Sequence, residues 1–103
     1  MKTWENASNE ELRQFEIISM ILEKHKKIIN YLFDTKNPKL NGTPNDILKN
    51  ASAFSRGEYV LIKVALDVWS ESGNANLTEI LNTLDKENFI KVMKGINYLK
   101  SNF

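Results

Sequence analysis

Between Ser55 and Ser70 the chain is apolar almost without pause. After its Ser55-Arg56-Gly57 start, Tyr59, Val60, Leu61, Ile62, Val64, Ala65, Leu66, Val68 and Trp69 leave only Glu58, Lys63, Asp67 and Ser70 as polar interruptions. At helical pitch Lys63, Asp67 and Ser70 fall on one narrow stripe, so every other side needs cover from neighbouring elements. The pattern predicts a central helix over about 56–70. Ser55 and Glu58 form its capping box, and Ser72-Gly73-Asn74 ends it. Leu66 and Trp69 are expected to be almost fully buried.

Upstream, Leu12, Phe15, Ile18, Leu22, His25, Ile29 and Leu32 recur at spacings of three and four, and Ile17, Ile21 and Ile28 widen the stripe. Ser8 and Glu11 supply a capping box at the start. No glycine or proline interrupts before Pro38, which predicts one continuous helix over about 9–33. Such a helix is about 37 Å long. A compact chain of this size has a radius of gyration of only about 13 Å, so the helix would span the molecule or project from it.

The remaining elements follow from breakers and caps. Asn37-Pro38 and Asn41-Gly42 mark a loop over 34–43. Thr43-Pro44 opens a short helix over about 44–50. Asn76 to Glu79 caps another over 77–84, with Leu77, Ile80, Leu81 and Leu84, and Asp85 starts a last helix over 86–100. No stretch alternates with period two. The expected fold is all-α: residues 1–103 as a single small helical bundle of about five helices around the central apolar helix.

Composition narrows the function. The 103 residues carry a net charge of +1, no cysteine and one histidine. There is therefore no global field to attract nucleic acid or an anionic membrane, and no thiol chemistry. The opening MKTWENASNEE has no apolar signal core, and no run approaches the roughly 18–20 apolar residues that span a bilayer. A cytoplasmic protein without membrane attachment is the expectation. His25 falls on the apolar stripe. Glu10, Glu11, Glu58, Glu79 and Glu87 sit in first turns, where they complement the helix dipole. No catalytic, cofactor-binding or metal-ligating set emerges, and the chain is not expected to be an enzyme.

Two binding readings remain. The first is a small regulatory or accessory protein that acts by binding another protein, with Ile17, Ile21, Lys24 and Ile28 on the first helix as the partner surface. The same stripe, sustained over about three heptads, suits a homodimer through that helix. The second is a DNA-binding regulator in which the pair of helices at 76–99 forms a helix-turn-helix, with Lys86, Lys91 and Lys94 as contacts. Against it, residues 76–103 hold four lysines and three acids, and no arginine to read guanine.

Overall fold

The computed structural model describes residues 4–34 and 36–101. Among them are six α-helices: α1 (Asn9–Ile21), α2 (Lys26–Leu32), α3 (Pro44–Lys49), α4 (Arg56–Ser70), α5 (Leu77–Thr83) and α6 (Lys86–Ser101). Short 3-10 turns occupy Trp4–Asn6 and Ala51–Ala53. The protein is an all-α helical bundle with a radius of gyration of 13.0 Å.

The caps form as the sequence predicts. Ser8, Ser55 and Asn76 each accept the backbone N–H three residues on, and Glu11, Glu58 and Glu79 each reach back to the cap's own N–H. Thr43 caps α3 ahead of Pro44, and Asp85 Oδ1 accepts from Asn88 N at 2.8 Å at the start of α6. Each cap satisfies amides that a helix start leaves without intrahelical partners.

The predicted continuous helix over 9–33 is the main correction. It breaks at Leu22–His25 into α1 and α2. Neither glycine nor proline marks the break; it falls where the link meets α6. Three successive residues of the link are held by α6: Glu23 accepts from Lys91 Nζ at 2.8 Å, Lys24 pairs with Glu87, and His25 Nε2 lies 2.9 Å from Asn88 Oδ1. The turn swings α2 back onto the molecule, where Ile28 and Leu32 are fully buried. A straight helix would carry these side chains past the core. Five expected helices thereby become six.

α4 is the central element, packed against α1, α2, α3 and α5. Val60, Leu61, Ile62, Val64, Ala65 and Leu66 are all buried. α6 packs chiefly on α1, which thus lies between α4 and α6. α1 and α6 run antiparallel, since Ile17 and Ile21 meet Gly95 while Glu23 meets Lys91. Ile18 and Leu22 lie roughly 100° further round α1, on the side left for α4. The wide apolar stripe therefore serves two helices of the same molecule, and Ile17, Ile18, Ile21 and Leu22 are all fully buried.

Trp69 departs from expectation. It is only half-buried, with its ring edge-on to Phe33 at 5.0 Å between centroids. Near the end of α4 it closes the margin of the core, while Leu66, one turn earlier, is fully buried.

Lys63 and Asp67 of the polar stripe on α4 do not face open solvent either, while Ser70 at its end is exposed. Glu71, in the left-handed conformation at φ 57°, ends α4 and turns the chain back. The connector then lies along the stripe: Asp67 accepts from Gly73 N at 2.8 Å, Asn74 N at 3.0 Å and Ala75 N at 2.8 Å. Gly73 sits so close that a Cβ there would lie 1.8 Å from the Lys63 carbonyl oxygen. Lys63 in turn pairs with Glu79 of α5 at 2.8 Å. The stripe is the seat of the α4–α5 connector.

Candidate functional site

The site begins with the antiparallel contact of α1 and α6. Gly95 allows this approach: a Cβ there would lie 2.6 Å from Ile21 Cγ1 and 2.7 Å from Ile21 Cδ1. Val92, one turn from Gly95, is fully buried. Beside this seam the two helix surfaces leave a groove of about 510 Å³, lined by Ser19, Met20 and Glu23 of the α1 segment and by Glu87, Ile90, Lys91 and Lys94 of α6. Its apolar members are exposed, Met20 by 37% and Ile90 by 42%.

The charges around the groove are organised in pairs. Lys91 lies low, its side chain only 17% exposed, and donates to Glu23. Hydrogen bonding and charge from Lys91 hold the Glu23 carboxyl below the usual carboxylate range. Glu87 pairs with Lys24, whose ammonium is pushed above its usual value by that hydrogen bond. Both acids remain well exposed.

The predicted partner surface needs correction. Ile17, Ile21 and Ile28 are fully buried, so they cannot form a face for a second protein or the seam of a dimer in this fold. Lys24 alone of that set is exposed, and it is bonded to Glu87. Of the three lysines assigned to DNA contact, Lys86 and Lys94 are exposed on α6, whereas Lys91 is directed at Glu23. The set does not present one continuous basic face.

Met20 and Ile90 were missed by the sequence reading. Ile90 falls on the polar side of α6, one turn after Lys86 and one turn before Lys94, and an isolated isoleucine among lysines was the signal available. α5 also exposes Leu77 and Leu81, at 63% and 55%, while Ile80 and Leu84 turn inward.

Among the described residues no group of three or more His, Asp or Glu side chains converges as a metal site. No helix among them is long and apolar enough to cross a membrane. Compared with protein-family models, curated proteins and solved structures, the chain matches none. The class of protein is therefore given by fold and surface alone: an all-α bundle with a charged-rimmed apolar groove between its first and last helices.

Proposed function

We propose that the protein is a non-catalytic regulatory or accessory protein that binds another protein through the groove between α1 and α6. The observation that carries this reading is the placement of Met20 and Ile90. They face outward on the two sides of one groove, with charges of both signs around them. An apolar centre inside a polar rim is the layout of a protein interface. The unbranched thioether of methionine adapts to the shape of an incoming side chain.

The non-catalytic part rests on how the polar side chains are already employed. Glu11, Glu58 and Glu79 serve capping boxes, Asp67 holds the α4–α5 connector, and His25 is bonded to Asn88. These groups have structural work that accounts for their positions.

Met20→Glu and Ile90→Glu place a carboxylate at the centre of the groove without entering the core. In affinity capture from the native host, wild type should retain a protein that both variants lose while keeping the wild-type melting temperature. Identical capture by wild type and both variants overturns the groove as the binding face.

A further inference from the structure

The connector between α2 and α3 contains Asn41-Gly42, and Asn41 is the residue that closes the end of α2. Its backbone N–H donates to the Leu32 carbonyl at 2.8 Å. Its side-chain Nδ2 lies 2.9 Å from the carbonyl oxygen of Phe33 and 3.2 Å from those of Asn30 and Tyr31. One residue thus meets four successive carbonyls at a helix end, the groups that lack intrahelical donors. Every one of these contacts requires an N–H on Asn41. The residue is also exposed, and it precedes the amino acid whose nitrogen is least shielded, since glycine has no Cβ.

We propose that Asn41-Gly42 is a self-modification site, at which spontaneous deamidation removes the cap of α2. The Gly42 backbone nitrogen gives up its proton to solvent and attacks Asn41 Cγ. The new C–N bond forms as the Cγ–Nδ2 bond breaks, and the amide group leaves as ammonia, taking up a proton. Water then opens the cyclic imide at either carbonyl, leaving aspartate or an isoaspartyl linkage at position 41. The net change is one water consumed and one ammonia released, with no oxidant or cofactor.

The product is ill-suited to the position. A carboxylate has only acceptors to offer, so it confronts the three carbonyls that the amide had satisfied. It also places a negative charge at the negative end of α2. The isoaspartyl form further inserts a methylene into the main chain between the Asn41 Cα and Gly42, which shifts the approach to the Thr43 cap of α3. α2 has only seven residues, so its end contacts weigh heavily. The antiparallel bridge between Phe33 and Leu40 hangs on the same closure. In the folded protein the amide is turned back towards α2, so the reaction proceeds from an opened connector and runs more slowly than in the unfolded chain.

The test is incubation of the full chain at mildly alkaline pH and physiological temperature, followed by peptide mapping and ion exchange. Aspartate and isoaspartate should accumulate at position 41, more slowly than in denaturant. The modified fraction, carrying one more negative charge, should melt several degrees below the unmodified one. Gly42→Ala should slow the reaction by an order of magnitude or more. The nearest atoms to its added Cβ would be Asp46 Cβ at 3.9 Å and Ile47 Cγ1 at 4.0 Å, and no glycine has positive φ, so this variant should fold normally. Asn41→Asp mimics one product directly; should it fail to fold, the aged wild-type fraction supplies the same comparison. Two results would overturn the proposal: no conversion at Asn41 in folded protein while the denatured chain converts fully, or equal melting temperatures for modified and unmodified fractions.

Discussion

Three glycines separate backbone contact from side-chain contact as causes of strain. At Gly73 a methyl group would strike the Lys63 backbone carbonyl, which α4 holds fixed, so Gly73→Ala should cost about 3 kcal/mol or more. At Gly95 the obstacle is the Ile21 side chain, which can rotate, and Gly95→Ala should cost about 1–3 kcal/mol. At Gly57, where the nearest atom is Thr83 O at 3.9 Å, Gly57→Ala should gain up to about 1 kcal/mol from better helix propensity. Urea melts of the three variants give the ranking, and a reversed order would refute the close approach of the connector to α4. Leu66→Ala should cost about 2–5 kcal/mol in the same assay, because Leu66 is fully buried in the central helix. Ile21→Asp should unfold the protein outright, since the charge enters a closed seam between α1 and α6. Loss of far-ultraviolet circular dichroism would show it, whereas a folded, monomeric variant would return Ile21 to a surface role. Leu66 was legible from the all-round apolar pattern of its segment. Trp69 was overrated by the same pattern, because periodicity reports which side a residue faces but not how near it lies to the rim of the core.

Helix starts in this protein are written locally, and they carry a signature in acid. Glu58 is held below the usual carboxylate range by the Ser55 backbone N–H and Glu79 by its hydrogen bond from Lys63; in the connector after α2, Asp34 is held low in the same way by the backbone N–H groups of Lys36 and Asn37. A carboxyl with a depressed folded-state pKa stabilises the fold above its unfolded value and loses that contribution as pH falls through the folded one. Melting temperature should therefore be level from about pH 7 to 5 and fall progressively below about pH 4.5. Ser55→Ala should lower the neutral plateau by about 1 kcal/mol and shrink the acid-sensitive portion. A pH-independent melting curve for wild type would argue against these caps. Such caps could be read from sequence because donor and acceptor lie three residues apart. The break at Leu22–His25 could not, because its partners Glu87, Asn88 and Lys91 lie more than sixty residues downstream. Nothing in Glu23-Lys24-His25 itself opposes a helix. The polar stripe of Lys63 and Asp67 was likewise visible as a stripe, but its occupant, the connector at 71–76, came from chain geometry.

At the scale of the whole molecule the groove is the unresolved asset of the surface, and it was the least legible. It arises where two helices from opposite ends of the sequence meet, and neither shows it alone. The placement of Lys91 against Glu23 bears on the DNA-binding alternative. Duplex DNA titrated at physiological salt should bind no tighter than non-specifically, and Lys94→Ala should change little. Nanomolar affinity for any sequence would reinstate that reading. The pairing of α1 with α6 also matters before the protein is complete. Synthesis delivers α1 first and α6 last, so the Ile17 and Ile21 side of α1 waits uncovered while the intervening helices emerge from the ribosome. During that interval the nascent chain presents an oily ridge to whatever surrounds it, and only the arrival of Val92 and Gly95 conceals it. Translation stalled just before α6 should accordingly yield a species that recruits chaperones or aggregates, whereas a chain whose α6 has emerged ends the exposure at once.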